Sequence, residues 1–392
     1  MIADGILAQA NWQIAGFGIY IHWPYCAAKC PYCDFNSHVS SQIDHEEWAE
    51  AYERALEYAA HETGNRVVRS VFFGGGTPSL MASATLGRVL DKIAEKWSLA
   101  NDVEITLEAN PSSVEGQKFN AFRLAGVNRV SLGIQALNDP DLKRLGRLHS
   151  TAEALTALET ARNTFDRFSF DLIYARQDQS EEAWAEELVR ALSFQTDHLS
   201  LYQLTIEPGT AFHARQSIGK LQGLPTDDRA VRLFEITQEL TDAAGLSSYE
   251  VSNHARPGAE SRHNLIYWRG GDWLGIGPGA HGRVSRQGRR QGTIAFRDPK
   301  KWLQDVGRNR TGLESTEVIP QDEQATEYLM MSLRLSEGTD LARLASLGLV
   351  LDEARLGPLI DQGMLKRDAS HLSCTPDGRL LLNSVLLELL RD

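Results

Sequence analysis

Three cysteines lie close together near the N-terminus, in the segment Cys26-Ala-Ala-Lys-Cys30-Pro-Tyr-Cys33. Thiolate sulfur is a soft ligand that favours iron–sulfur clusters or zinc. Three thiolates leave one iron of a [4Fe–4S] cube without a protein ligand, which is useful where an exchangeable molecule binds that iron. Zinc would need a fourth ligand, which His22 or His38 could supply. The spacing alone therefore predicts a metal site, and three unrelated structural thiols are the remaining interpretation.

The residues around these cysteines resemble a known family. The segment Tyr20-Ile-His22-Trp-Pro24-Tyr-Cys26-x3-Cys30-x2-Cys33 is similar to the signature of radical S-adenosylmethionine (SAM) proteins of the oxygen-independent coproporphyrinogen III oxidase group. The resemblance extends from about Phe17 to Leu390. It implies that the three cysteines hold a [4Fe–4S] cluster whose fourth iron is chelated by the amino and carboxylate groups of SAM. It also implies an electron transfer that can cleave SAM to a 5′-deoxyadenosyl radical.

Other candidate residues follow the ends of predicted strands. The segment Gly74-Gly75-Gly76-Thr77-Pro78 is typical of a tight turn, since glycine tolerates positive φ, and it resembles the loop that holds the SAM amino group. Glu108 resembles the acid that contacts the SAM ribose. The resemblance implies cofactor contacts at Tyr20, Phe35, Gly75, Gly76, Thr77, Glu108, Gln135, Arg147, Asp171 and Gln203. The alternative for each polar residue is a solvated or helix-capping role.

One segment departs from the family pattern. The family usually continues Asp171-Leu-Ile-Tyr with Gly-Leu-Pro, whereas this chain has Ala175-Arg176-Gln177. The resemblance therefore does not extend to a SAM contact from this loop.

Two features favour one branch of the family, the haem chaperones, over the oxidases. Phe35 occupies the place where the oxidases carry a fourth cysteine. The segment His263-Asn264-Leu-Ile-Tyr267-Trp268 matches the HNxxYW motif that is linked to haem binding in the chaperone branch. The resemblance therefore implies a third cofactor, haem.

The haem prediction centres on His263. A neutral histidine is a good axial ligand for haem iron, and Tyr267 and Trp268 could stack on a porphyrin. The basic stretch 283–290 could meet the propionates. The alternatives are a hydrogen-bonded core histidine and a solvated hairpin, with His281 as the next candidate ligand.

The elements that must position these residues are predicted from hydrophobic periodicity. Short β-rich runs lie at 17–23, 67–73, 103–108, 127–134, 168–174 and 198–206, and amphipathic helical segments lie between them. Such alternation predicts an α/β fold, a partial (β/α)6 radical SAM barrel over residues 1–250. In such folds the chemistry gathers at the C-terminal ends of the strands.

The rest of the chain has a different pattern. Residues 251–317 are rich in Gly, Arg and Trp and predict an irregular linking segment that carries the HNxxYW motif. Residues 318–392 predict three helices, a hairpin and a closing helix, which is the outline of a winged-helix-like α+β domain. Cys374 falls in the hairpin and is predicted to be a small core residue.

Composition limits the classes of partner. The 392-residue chain carries a net charge of −12, and residues 318–392 hold seven Lys/Arg against twelve Asp/Glu, which disfavours nucleic acid. No apolar run is long enough to span a bilayer, and Met1–Gly16 does not resemble a signal peptide. We therefore expect a cytoplasmic protein without a transmembrane segment, with peripheral membrane contact left open.

Three functional hypotheses follow. The first is a haem chaperone that binds the cluster, SAM and haem and delivers haem to acceptor proteins, with an electron donor as a further partner. The second is a radical enzyme acting on a porphyrin or another substrate, either oxidase-like or a methyltransferase. The third is a zinc-stabilised interaction protein.

Overall fold

The computed structural model describes residues 11–40, 42–112 and 117–391. Most of Met1–Gly16, the segment that was compared with signal peptides, therefore lies outside the described residues. The centre of the structure is a run of six parallel strands that are neighbours in chain order. These strands are β1 (Phe17–Trp23), β2 (Val67–Gly75), β3 (Ser98–Ala109), β4 (Arg129–Gln135), β5 (Arg167–Tyr174) and β6 (His198–Gln203). The predicted partial (β/α)6 barrel is confirmed.

Helices cover the outer face of these strands. They are α1 (Asn11–Ala15), α2 (His45–Thr63), α3 (Ser83–Lys96), α4 (Phe119–Leu124), α5 (Asp139–Arg144), α6 (Thr151–Thr164), α7 (Glu181–Leu192), α8 (Ala211–Ser217) and α9 (Asp227–Ala243). A capping box begins α6, because Ser150 accepts from the Glu153 backbone and Glu153 accepts from the Ser150 backbone. Such a cap satisfies two backbone donors that would otherwise lack partners at the helix start.

The period of two along β1 separates an apolar outer face from a polar inner face. Phe17, Ile19 and Ile21 are fully buried in the core beneath the helices. The alternate residue Tyr20 lines a cavity inside the barrel. Because successive strand side chains point to opposite faces, the same strand can build the core and present polar groups to a site.

Residues 251–317 are more regular than the sequence pattern indicated. The segment 247–318 contributes β7 (Ser247–Ser248), β8 (Asn253–Ala255), α10 (Arg262–Trp268), β9 (Asp272–Ile276), β10 (His281–Arg286), β11 (Arg289–Ala295), α11 (Pro299–Asn309) and β12 (Leu313–Val318). Over the described residues the sheet order is β12-β11-β10-β9-β1-β2-β3-β4-β5-β6-β8-β7. The prediction of irregular structure was wrong here, because pairing with β1 and β6 orders short strands that lack alternation. The predicted domain boundaries themselves stay predictions.

The C-terminal unit has a core of its own. Its elements are α12 (Gln321–Ser332), β13 (Thr339–Asp340), α13 (Leu341–Ser346), α14 (Glu353–Asp361), β14 (Leu365–Arg367), β15 (His371–Cys374), α15 (Pro376–Leu380) and α16 (Leu382–Leu390). Leu329, Leu344 and Leu372 lie at its centre, and Cys374 is 5% exposed among them, as predicted. The helices and the β13-β15-β14 sheet confirm the winged-helix-like outline.

Ion pairs attach this unit to the segment that follows the barrel. Arg269 pairs with Glu337 at 2.7 Å, and Arg283 pairs with Glu327 at 2.9 Å. Arg343 donates to the carbonyl of Gly270 at 2.9 Å. The C-terminal unit therefore packs against α10 and β10, beside the barrel.

Candidate cofactor site at the mouth of the barrel

The loop that follows β1 carries the three cysteines. It returns to β1 through a bond from the His38 amide to the Pro24 carbonyl at 2.7 Å. Asn36 anchors its far end by donating to the carbonyls of Pro278 and Arg297 at 3.0 and 2.9 Å. Cys26, Cys30 and Cys33 are all free thiols that are partly exposed. The loop thus presents three reactive sulfurs at the C-terminal end of the barrel.

Three side chains form a chain of hydrogen bonds between two of the thiols. The Thr77 hydroxyl donates to the Cys26 sulfur at 3.4 Å, and Asn110 donates to the same hydroxyl at 3.1 Å. Arg147 donates to Asn110 Oδ1 at 2.6 Å and to the Cys30 sulfur at 3.5 Å. Donors to sulfur stabilise thiolate, which is the form that binds metal.

The glycine loop after β2 packs directly on the cysteine loop. The Gly76 amide donates to the Trp23 carbonyl at 2.7 Å, and the Thr77 amide donates to the Tyr25 carbonyl at 2.8 Å. A Cβ on Gly76 would lie 2.7 Å from the Tyr25 carbonyl oxygen. Gly75 has a φ of +108°, a backbone conformation that is strained for residues other than glycine. The two loops therefore need glycine at both positions.

One cavity of about 360 Å³ lies against both loops. Its lining brings together most of the residues predicted from the sequence: Cys26, Cys30, Cys33, Phe35, Gly75, Gly76, Thr77, Glu108, Gln135, Arg147, Asp171 and Gln203. They come from the C-terminal ends of all six barrel strands or from the loops that follow them. No described residue of the C-terminal unit lines this cavity.

Two carboxyl groups face this cavity from adjacent parts of the barrel. Burial, together with the charge of Asp171, raises the pKa of Glu108 to about 8, although the Gly75 amide donates to Glu108 at 3.3 Å. Burial also raises the pKa of Asp171 to about 6, against hydrogen bonds from Ser200 and Ser131. At neutral pH the Glu108 carboxyl is therefore largely protonated, and it can donate as well as accept a hydrogen bond.

Gln135 ends β4 in a strained conformation. Its φ is +73°, and the pairing of β4 with β5 shifts register between Leu132 and Gln135. Its Oε1 atom is buried and has no hydrogen-bond partner among the described residues. An unsatisfied amide oxygen in a cavity wall is the expected state of a ligand contact before the ligand binds.

Tyr20 and His263 lie outside this cavity. Both line a second cavity of about 170 Å³ inside the barrel, here called the inner chamber. It shares Glu108, Ser131, Asp171 and Tyr202 with the mouth cavity and is otherwise lined by Tyr20, Phe72, Arg129, His198, Ser200, Asn253, Ser261, His263, Asn264 and Tyr267. The Tyr20 hydroxyl lies 3.0 Å from His22 Nδ1. The structure thus separates two of the predicted residues from the other twelve.

His263 is enclosed by the barrel wall. It is 1% exposed, and its ring stacks on Phe72 at 5.1 Å between centroids. Nδ1 lies 2.7 Å from the Ser70 hydroxyl, and Nε2 lies 2.6 Å from the Tyr267 hydroxyl. Burial lowers the pKa of His263 to about 3, so the ring is neutral. In this conformation both ring nitrogens have partners, and neither is available to iron.

Most arginines of the basic stretch 283–290 form ion pairs within the protein. Arg286 pairs with Glu62, and Arg283 pairs with Glu327. Arg290 is buried and lies 3.5 Å from Asp272. These three arginines therefore hold the sheet edge and the C-terminal unit in place.

The donor set fits an iron–sulfur cluster better than zinc. Of the two candidates for a fourth zinc ligand, His22 has Nδ1 next to Tyr20 and donates from Nε2 to the Asn36 carbonyl at 2.9 Å, whereas Nε2 of His38 has no hydrogen-bond partner among the described residues. Among the described residues, no three His, Cys, Asp or Glu side chains already converge as metal ligands. A cube with one open iron beside a polar cavity matches three thiols and an adjoining small-molecule pocket.

Sequence reasoning assigned no role to two residues of this site. Asn110 connects Thr77 to Arg147, and its only sequence signal is its place two residues after Glu108. Tyr202 forms part of the wall between the mouth cavity and the inner chamber.

Comparison with known proteins agrees with this architecture. Residues 20–190 match the Radical SAM superfamily model, and residues 319–381 match the HemN C-terminal domain. Among solved structures, coproporphyrinogen III oxidase (HemN) from Escherichia coli superposes with a TM-score of 0.80 at 23% identity, covering 95% of this chain and 89% of HemN. That likeness shows a shared fold.

Two curated relatives are similar along almost the whole chain. A mouse protein, radical S-adenosyl methionine domain-containing protein 1, mitochondrial, is 38% identical over 384 residues, with 95% of this chain and 87% of the relative covered. Heme chaperone HemW of Escherichia coli (strain K12) is 40% identical over 380 residues, with 95% and 98% covered. The chain therefore belongs to the HemW family of radical SAM proteins.

Proposed function

We propose that this protein is a haem chaperone that binds a [4Fe–4S] cluster, SAM and haem and transfers haem to acceptor proteins. The observation that carries the proposal is the similarity over almost the whole length to an Escherichia coli protein named for that function. Phe35 supports it, because this exposed ring stands at the position where the oxidases carry a fourth cysteine.

In this proposal Cys26, Cys30 and Cys33 hold the cluster. A bound cluster would supply an electron to the ligand on its open iron. Thr77 and Arg147 already donate to two of the three sulfurs, and they would offset negative charge on the thiolates. Membership of the radical SAM superfamily implies both the cluster and SAM.

SAM would occupy the mouth cavity. The backbone of Gly75 and Gly76 would meet its amino group, and Glu108 would bond to its ribose. Gln135 and Asp171 would complete the polar wall, and the unpartnered Gln135 oxygen supports this arrangement. Each of these groups lines the same cavity as the cysteines.

Haem binding needs a second conformation. The inner chamber of about 170 Å³ is small beside the roughly 300–1,000 Å³ of pockets that hold drug-sized ligands. We therefore propose that His263 ligates haem iron only after α10 moves away from the barrel and its two hydrogen bonds break. His281, which is exposed at the start of β10, is the alternative ligand.

One anaerobic experiment tests the proposal. Purified protein would be reconstituted with iron and sulfide, given SAM and haem, and then mixed with an apo haem protein as acceptor. We expect a stable haem complex and transfer of haem to the acceptor. Failure to bind haem would contradict the chaperone function.

A second candidate is an oxidase-like radical enzyme, favoured by the fold shared with HemN. The reconstituted protein would be given coproporphyrinogen III, SAM and a reductant, and the products separated by chromatography. Catalytic formation of protoporphyrinogen would support the oxidase and overturn the chaperone. We expect none.

The setting of this activity is also part of the proposal. Three free thiols that must stay reduced favour the cytoplasm, and an electron donor would reduce the cluster. No helix in the described ranges is long and apolar enough to cross a bilayer.

A further inference from the structure

A buried ion pair lies directly behind Gln135, outside the mouth cavity. Arg176 is 3% exposed and Glu187 is 8% exposed, and the two side chains form a close hydrogen-bonded ion pair. Asp141 lies 3.0 Å from the same guanidinium. Neither Arg176 nor Glu187 lines the mouth cavity.

This pair holds the backbone on both sides of Gln135. Arg176 Nη1 donates to the carbonyl of Ile173 at 2.7 Å and to the carbonyl of Gln135 at 3.4 Å. Glu187 Oε1 accepts from the amide of Leu137 at 2.6 Å. The ion pair therefore ties the end of β5 to the segment that leaves β4.

The backbone at this point needs such support. Gln135 and Ala175 both have positive φ, +73° and +58°, although neither is glycine. Conformations of this kind are energetically unfavourable for residues other than glycine and persist where the surroundings hold them. Arg176 and Glu187 are both buried charged residues that contact this region.

We infer that Arg176, paired with Glu187, is a positioning residue that holds the strained end of β4 so that the Gln135 amide faces the cofactor. This inference rests on the proposed SAM site. It also accounts for Ala175-Arg176-Gln177 at the place where the family usually has Gly-Leu-Pro. Arg176 supports this segment from the side away from the mouth cavity.

The test measures SAM affinity in cluster-loaded protein. The double variant Arg176→Met/Glu187→Met removes both charges of the pair and keeps similar volumes, and Asp141 keeps Arg144 as an ion-pair partner at 3.7 Å. We expect its Kd for SAM to rise about tenfold or more, with the iron content unchanged. The control is Arg66→Met/Asp272→Asn, which breaks a second buried pair with a 2.7 Å contact, remote from the cavity. It should lower stability without changing SAM affinity.

A double-mutant cycle separates positioning from a general structural effect. Gln135→Ala alone should weaken SAM binding, and adding Arg176→Met/Glu187→Met should weaken it by less than about twofold more, since both changes act through one contact. Fully additive losses, or a double variant that binds like the wild type, would overturn the inference. Wild-type protein that binds no SAM would instead refute the proposed site.

Arg176→Lys keeps the test decisive should the double variant fail to fold. Lysine retains the charge beside Glu187 but loses the planar fork of donors. A Kd for SAM between those of the wild type and Gln135→Ala is expected. Unchanged affinity would count against a positioning role.

Discussion

Nε2 of His263 lies 2.6 Å from the hydroxyl of Tyr267, one helical turn away on α10, and Nδ1 of the same ring lies 2.7 Å from Ser70 on β2. The HNxxYW motif therefore closes the inner chamber of the barrel in this conformation. A residue that the sequence suggested as a metal ligand here joins a helix to the barrel wall. The proposed haem ligation would therefore compete with this closure for the same two nitrogens.

This competition predicts different effects for substitutions at His263 and Tyr267, because the first removes the proposed ligand and the second frees it. His263→Ala should remove or alter the Soret band of the haem complex while cluster and SAM binding remain. Tyr267→Phe should increase the rate of haem binding, because it frees Nε2 without removing the ligand. Absorbance titration and stopped-flow mixing measure both. A His263→Ala protein with the wild-type spectrum would move the ligand elsewhere, and His281→Ala is then the variant to examine.

The cysteine loop gives a second prediction. Since three thiolates are the proposed ligands, Cys26→Ala, Cys30→Ala and Cys33→Ala should each abolish stable cluster binding. Iron and acid-labile sulfide would be counted after anaerobic reconstitution. Cys374→Ala is the matched control, because that thiol lies in the core of the C-terminal unit. Full occupancy in any of the three loop variants would refute the assignment.

Asp171 gives a prediction specific to the cofactor pocket. Asp171→Ala should raise the Kd for SAM by about tenfold, which corresponds to about 1.4 kcal/mol, with no loss of iron. Calorimetry on cluster-loaded protein measures this. Asp91→Ala, which removes an exposed carboxyl on α3, should bind SAM normally. Equal affinities in the two variants would remove Asp171 from the site.

Replacing Glu108 by glutamine is predicted to stabilise the folded protein by an amount that depends on pH. The pKa of Glu108 is about 8 in the folded protein and near 4.5 in the unfolded chain. Between these values the unfolded chain releases a proton that the folded protein keeps, so the free energy of unfolding falls as pH rises. The Glu108→Gln variant has no titrating carboxyl at this position, so its free energy of unfolding does not undergo this fall.

The variant should therefore match the wild type near pH 4.5 and become more stable as pH rises towards 8. The gain should reach about 2–4 kcal/mol, reduced by water in the open cavity. Urea unfolding of cluster-free protein at several pH values measures it. Glu186→Gln, an exposed carboxyl on α7, is the control. A difference that shrinks with rising pH would contradict the assigned pKa.

Much of the mouth site could be predicted from the sequence because it follows strand ends. Glu108, Gln135 and Asp171 each lie at or near the C-terminal end of a parallel strand, and such ends meet at one edge of the sheet. Their convergence follows from chain order alone, once alternation of strands and helices is recognised. The cysteine spacing likewise places three sulfurs on one loop without any tertiary information.

The inner chamber could not be predicted in this way. His263 and Tyr20 are distant in sequence, and they share a cavity because α10 packs across the inside of β1 and β2. The short strands between 251 and 318 also lack periodicity of their own. They are ordered by pairing with β1 and β6, which is a long-range interaction.

What the amino-acid sequence determined by itself is therefore the local chemistry: the three thiols, the glycine loop, the polar strand ends and the order of the barrel strands. Tertiary structure decided which groups are available. It enclosed His263 between Ser70 and Tyr267, paired Arg283 with Glu327, and placed Arg176 behind Gln135. The physical reason is that ligand type and spacing are properties of nearby residues, whereas burial, hydrogen-bond satisfaction and charge pairing depend on partners brought together only by folding.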